Sequence, residues 1–166
     1  MKPPGFIDKD FCSQKLDAVI NLVKRLLADD YPHKDSEQAL RKILEFFEQE
    51  RALLESLDET AQLNTILEFC RRININIVLL KPFLGLLLRS SNLRNAFEIY
   101  FPIKVLATEL LDEETCVVLS SEWAFSPFTY PVALEQLPKF VFIGVPASEC
   151  HNPLVVPLAA HELGQI

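Results

Sequence analysis

Glycine is scarce in this chain, with only four among 166 residues, at positions 5, 85, 144 and 164. A phosphate-binding loop needs several closely spaced glycines, so nucleotide binding through such a loop is excluded. The Gly-x-Ser-x-Gly elbow of serine hydrolases is also absent from the sequence. No pattern in the chain therefore supports hydrolysis through a nucleophilic side chain.

Clustered positive charge is missing as well. The net charge is −7 and the pI is about 5.0, and adjacent basic residues occur only as isolated pairs, Arg71–Arg72 among them. A surface that binds phosphate groups needs grouped lysines and arginines. We therefore expect neither nucleic acid nor a membrane as a partner.

Paired cysteines and a secretory leader are two further absences. The four cysteines contain no Cys-x-x-Cys pair, and the N-terminal sequence MKPPGFIDKDF lacks the apolar stretch of a signal peptide. These features predict reduced thiols in a cytoplasmic protein. The most apolar run, INIVLLKPFLGLLL at 75–88, is too short to span a bilayer and is interrupted by Lys81–Pro82, which favours a buried segment.

The first part of the chain has the pattern of amphipathic helices, within a composition of 49% hydrophobic and 23% charged residues that is typical of a globular domain. Ser13 is a candidate N-cap for the first helix, which ends near Pro32. A second helix is predicted from Asp35 or Ser36, with its glutamates, Glu50 among them, on the solvated side. His33 before it is expected to be exposed. A third helix is predicted over about 60–72, and residues 74–88 fit a helix or a buried strand equally well.

The second part contains strand candidates instead. These are the runs FEIYFPIKVLATEL at 97–110, TCVVLSS at 115–121 and KFVFIGVP at 139–146. A final helix is predicted from Asn152–Pro153, or alternatively from Pro157. We therefore predict an α+β fold, with a helical region over 1–92 and an α/β region over 93–166 that holds a small sheet and the C-terminal helix.

The sequence HELGQ near the C-terminus matches most of the zinc-binding motif His-Glu-x-x-His. In that motif two histidines four residues apart share one face of a helix, and the glutamate acts as a general base on zinc-bound water. His161 and Glu162 match the first two positions. Gln165 stands where the second histidine belongs, and its neutral amide oxygen is a poor zinc ligand.

Two runs extend this match into a family resemblance. SSEWAFSPFTYP at 120–131 and IGVPASECHNPLVVPLAAHELGQ at 143–165 resemble blocks of bacterial proteins that look like zinc-dependent metallopeptidases. The resemblance implies a partial zincin-like core acting on a peptide or protein substrate, with His161 as first metal ligand, Glu162 as catalytic base and Gln165 at the second ligand position. The third ligand would lie beyond Ile166. Zinc is thus expected only if the site is completed, and we expect a truncated or degenerate, inactive copy.

Two other groups of residues have more than one interpretation. Glu149, Cys150 and His151 include metal-ligand types, but neighbouring side chains on an extended segment point to opposite sides, which favours a polar loop. In the protease interpretation the block at Glu122–Trp123 forms an edge strand that binds peptide backbone. An aromatic core cluster of Trp123, Phe125, Phe128 and Tyr130 is the favoured alternative.

A different class of function also fits the helical half. It is a non-catalytic module whose helices bind a protein partner, or a second copy of the chain in a homo-oligomer, through an uncovered apolar patch.

Overall fold

The computed structural model describes residues 8–57, 63–92, 97–111, 115–122, 128–131 and 140–164. Within these ranges the α-helices are α1 (Lys9–Leu26), α2 (Lys34–Ser56), α3 (Leu63–Ser90), α4 (Phe97–Leu110) and α5 (Val155–Leu163). The strands are β1 (Cys116–Glu122), β2 (Phe128–Pro131) and β3 (Phe140–Pro146), and a 3-10 helix follows at Ala147–Glu149. The predicted α+β class, with a helical first half, a small sheet and a C-terminal helix, is confirmed.

Helix α1 begins earlier than the sequence suggested. The side chain of Asp8 accepts a hydrogen bond from the backbone N–H of Phe11 at 2.8 Å and so caps the helix. Ser13 lies inside the helix, and its prediction as N-cap is wrong because a carboxylate at position 8 already satisfies an amide of the first turn. The helix buries one stripe of residues, namely Cys12, Leu16, Ile20, Val23 and Leu26.

Two polar residues of the α2 region are buried, although the sequence indicated exposure. The ring of His33 is 8% exposed and stacks on the ring of Tyr100 with 3.6 Å between ring centroids. Glu50 is 5% exposed and forms an ion pair with Arg72 of α3. Both predictions of exposure are wrong because partners distant in sequence compensate the cost of burying these groups.

Helix α3 is continuous across the stretch that fitted helix and strand equally well, so the predicted end near residue 72 is wrong. Its buried side chains alternate in spacings of three and four residues, which keeps one side of the helix against its neighbours. The residues of this stripe are Cys70, Ile73, Ile77, Leu80, Leu84, Leu87 and Ser90, and Leu86 beside it is also buried. This regular spacing continues past Pro82, which lies inside the helix on its exposed side.

The outer side of α3 is apolar too. Ile75, Val78 and Leu79 are 45%, 58% and 49% exposed. By length and composition, the segment 64–90 is the one helix in the described ranges that could cross a membrane, with a mean hydropathy of 1.4 and 39% of that window buried. A core helix of a globular domain meets the same criterion, and α3 packs with α1 and α2 around one core.

Helix α4 occupies residues 97–110, where the composition pointed to a strand. Ile99, Ile103 and Ala107 are buried at intervals of four residues, a spacing that suits one side of a helix. The strand prediction for this run is wrong because β-branched content biases the assignment, while the packing of this periodic stripe decides the structure.

The sheet has the strand order β1-β3-β2. Strands β1 and β3 are parallel, with Cys116 opposite Phe140, and β2 pairs antiparallel with β3. Both predicted strands, 115–121 and 139–146, are confirmed within one residue at each end. Their apolar runs are continuous because helices cover both faces of the sheet.

Two hydrophobic cores lie on opposite faces of this sheet. Alternate side chains of β1 and β3 enter each core, as the two-residue period of a strand requires. The first core joins the sheet to α1, α2 and α3 through Cys116, Val118, Phe140 and Phe142. The second joins it to α4 and α5 through Val117, Leu119, Val141, Ile143 and Val145.

Candidate functional site

Helix α5, which carries the motif-like residues, is fixed to the second core by a short stripe. Val155, Ala159 and Leu163 are buried at intervals of four residues. The predicted cap Asn152 lies before the helix, where its side chain accepts from the N–H of Leu154 at 3.1 Å and donates to Glu149 at 2.7 Å. The helix therefore starts at Val155, between the two predicted starts at Asn152–Pro153 and Pro157. The side opposite the buried stripe faces outward.

His161 lies on that outward side. His161 is exposed and has an interaction partner, and the next residue, Glu162, is half-buried. Adjacent residues on a helix diverge by about 100°, so the imidazole and the carboxylate do not point in the same direction. Gln165, the third residue of the predicted set, lies outside the described residues.

The donor set at this helix does not by itself fit a zinc ion. Across the described ranges, no three histidine, cysteine, aspartate or glutamate side chains are grouped closely enough to hold a metal. Glu149 belongs to the 3-10 helix, and Cys150 and His151 form the turn that follows it. This segment connects β3 to α5 as a 3-10 helix and a turn, and is not the extended stretch that the argument from the sequence assumed.

Strand β1 is an edge strand of the described sheet. Side chains form hydrogen bonds at both of its ends. The carboxylate of Glu122 accepts from Arg89 Nε at 2.8 Å and from the hydroxyl of Ser120. At the other end, the backbone N–H of Val117 donates to Asp35 at 2.8 Å. Glu122 therefore has a partner on α3, which answers how a carboxylate is accommodated in this charge-poor region.

The aromatic cluster proposed as an alternative to this edge is described only in part. Phe128 is half-buried and packs against the first core. Trp123, Phe125 and the side chain of Tyr130 lie outside the described residues.

A partly buried polar group that the sequence interpretation missed lies where α2, α4 and β1 meet. Besides the Val117 amide, Asp35 accepts a hydrogen bond from Lys104 Nζ, which also donates to the carbonyl of Thr115 at 3.3 Å. Tyr100 stands one helical turn before Lys104. The spacing of tyrosine and lysine could have indicated a shared helical side if residues 97–110 had been assigned to a helix.

Electrostatics in this group favour the neutral forms of the two rings. Burial lowers the pKa of His33, and the nearby carboxylate of Asp35 opposes that shift. Burial, reinforced by Asp35, raises the pKa of Tyr100. At neutral pH the phenol thus stays protonated, so the group is better suited to linking three elements than to supplying a base.

Comparison with known proteins provides no relative for this chain. No protein family, no curated protein and no solved structure matches it.

Proposed function

We propose that this chain is a zinc-metallopeptidase-like protein that does not hydrolyse peptide bonds in its present form. The observation that supports this proposal is the placement of His161 on the outward side of α5, while a separate stripe anchors the helix in the second core. A helix seated in this way can offer an imidazole to a metal without disturbing the fold. Glu162 follows in the position of the general base.

The second ligand position accounts for the lack of activity in this proposal. An amide oxygen carries no charge and binds zinc weakly compared with imidazole, thiolate or carboxylate. A single imidazole does not hold the ion against water. Because one imidazole is the single good ligand in this motif, the protein would bind zinc weakly. No catalytic step through zinc follows from the described residues.

Changing Gln165 to histidine tests this proposal. Even outer-shell partners change zinc affinity about 10–100-fold, so a gained direct ligand should tighten zinc binding by at least that factor. A competition titration against a chromophoric chelator measures the affinity, and elemental analysis of purified protein measures the zinc content. The wild-type chain is expected to contain far less than one zinc per molecule.

The matched control combines Gln165→His with His161→Ala and should lose the gained affinity. One tightly bound zinc per wild-type chain would contradict the inactive form proposed here. Equal affinities for Gln165→His and the double variant would show that His161 is not a ligand.

The outer side of α3 favours a second candidate, a non-catalytic helical module that binds protein. Ile75, Val78 and Leu79 form an apolar stripe opposite the buried side of the helix. Soluble proteins rarely leave a contiguous apolar strip on both sides of one helix unless a partner covers it. In this candidate the stripe binds the same stripe of a second copy.

Self-association measured by sedimentation velocity tests the second candidate. The wild-type chain should dimerise with rising concentration, and Val78→Lys should weaken that dimer by at least about tenfold because it places a charge in the apolar contact. Leu53→Lys, at a similarly exposed leucine of α2, is the control and should leave the dimer intact. A wild-type chain that stays monomeric at all concentrations contradicts this candidate.

A further inference from the structure

Helix α4 has a second apolar side, which faces away from the sheet. Phe101 and Val105 lie one helical turn apart and are 51% and 48% exposed, whereas the opposite side of the helix is buried in the second core. The two side chains belong to an open groove of about 470 Å³, whose other lining residues are Pro102, Leu106 and Glu109. An apolar groove on the surface of a globular domain is a typical feature of an interaction site.

Helix α5 extends this apolar surface. Leu154 and Leu158 are 72% and 55% exposed on its outward side. Helices α4 and α5 pack in the same core and cover the same face of the sheet, so their outer sides belong to one surface of the protein. Helix α3 packs on the other face of the sheet, and its exposed stripe of Ile75, Val78 and Leu79 is therefore a separate surface.

Acidic groups lie at both ends of the groove. Glu98 comes one turn before Phe101 and Glu109 one turn after Val105, so both glutamates share the outer side of α4, about 16 Å apart along the helix. Both are exposed, and neither forms an ion pair within the described part of the chain. The carbonyl oxygen of Glu98 also lacks its usual helical donor, because Pro102 has no N–H. The ends of the groove therefore favour cationic hydrogen-bond donors.

This charge pattern decides which kind of partner fits. Lys104, the one basic residue of α4, does not neutralise the glutamates because its ammonium group pairs with Asp35 on the inner side. Two copies of α4 packed together would bring glutamate beside glutamate in either orientation, and like charges repel. An anionic membrane surface would be repelled in the same way. A helix with an apolar stripe and basic ends complements both the groove and the carboxylates.

We propose that the outer side of α4 binds a basic amphipathic helix of another protein. The apolar stripe of that helix packs over Phe101 and Val105, and its lysines or arginines, about three turns apart, pair with Glu98 and Glu109. The ring of Phe101 contributes most to the affinity, since aromatic side chains at the centre of an interface carry much of the binding energy. The two glutamates fix the orientation of the bound helix and speed its association.

A synthetic peptide tests this proposal with the folded full-length chain. The probe is a fluorescein-labelled helix of about five turns, with leucines spaced by three and four residues and lysines at both ends. Fluorescence anisotropy measures its binding, which should be saturable and should weaken as salt is added. The same peptide with glutamates in place of the lysines should bind at least about tenfold more weakly. Hydrogen exchange should slow in residues 97–110 when the basic peptide binds.

Variants of the chain locate the binding surface. Phe101→Ala should weaken binding of the basic peptide by about tenfold or more. Glu98→Gln combined with Glu109→Gln should weaken it less and should remove most of its salt dependence. Leu79→Ala, at a leucine of similar exposure on α3, is the matched control and should leave the affinity unchanged.

Three results would overturn the proposal. They are equal binding of the basic and acidic peptides, the absence of saturable binding, and a loss of affinity with Leu79→Ala in place of Phe101→Ala. A dimer in sedimentation velocity that Phe101→Ala abolishes would show that a second copy occupies the groove instead. Binding to vesicles of anionic lipid that Phe101→Ala abolishes would assign the groove to a membrane.

Discussion

Replacing Arg72 with methionine is expected to lower the free energy of unfolding by about 3 kcal/mol. Arg72 holds Glu50 through two hydrogen bonds, Nη1 to Oε1 at 3.0 Å and Nη2 to Oε2 at 2.7 Å. Breaking a buried ion pair by removing one partner costs about 3–5 kcal/mol because a charge is left buried and uncompensated. The side chain of Arg72 is 36% exposed, which places the expected loss at the lower end of that range. Urea denaturation monitored by circular dichroism measures it.

The double variant Arg72→Met with Glu50→Leu is the matched control. It removes both charges, so its stability should recover to within about 1 kcal/mol of the wild type. A loss below about 1 kcal/mol for Arg72→Met alone would show that Glu50 gains other solvation when its partner is removed.

Replacing Phe142 with alanine is expected to have an effect of similar or larger size, about 3–5 kcal/mol. Phe142 lies on the central strand β3, is 1% exposed, and stacks on Phe83 of α3 with 5.1 Å between ring centroids. Truncation removes apolar contacts and leaves a cavity at the junction of sheet and helices, where neighbours on rigid elements relax only partly. The same denaturation experiment measures the loss.

Phe101→Ala provides the matched control for the aromatic truncation. Phe101 is on α4 and is 51% exposed, so the same chemical change should cost less than about 1 kcal/mol. Equal losses at the two positions would contradict the placement of Phe142 in the centre of the first core.

Local periodicity predicted much of this fold. The spacing of apolar residues located α1 and the bodies of α2 and α3, and the continuous runs in β1 and β3 indicated strands buried on both faces. Helix α4 was missed because its isoleucines and valine are residue types that favour strands. Only its packing on the second core shows that its buried residues follow the helical period and not the two-residue period of a strand. The first residue of a helix was also not predicted correctly. In α1 the cap is Asp8, which is one of several polar residues near the start of the helix that could have capped it.

Pairings between distant residues were beyond the reach of the sequence. His33 and Tyr100 are separated by two helices along the chain, and Glu50 and Arg72 lie on different helices. A polar residue whose partner is unknown looks like a surface residue, because exposure is the usual fate of such side chains.

The candidate site could be predicted only as residue types in a pattern. The chain order of β3, the 3-10 helix and α5 places His161 and Glu162 on a helix, as the motif requires. The spacing of Leu154, Leu158 and His161 indicated one shared side of that helix, but only the structure shows that this side is exposed. Whether a metal binds depends on ligands brought together in three dimensions. Zinc binding at Gln165 and its surroundings therefore stays a prediction for the titration to decide.

Asp35 ties together parts of the protein that belong to different cores. Its helix, α2, packs in the first core, while Lys104, which donates to it, is on α4 in the second, and Val117 belongs to the sheet between them. Separating the helices of either core from the sheet would therefore break hydrogen bonds to the Asp35 carboxylate. The two halves of the chain should consequently lose their structure in a single concerted transition instead of melting one after the other.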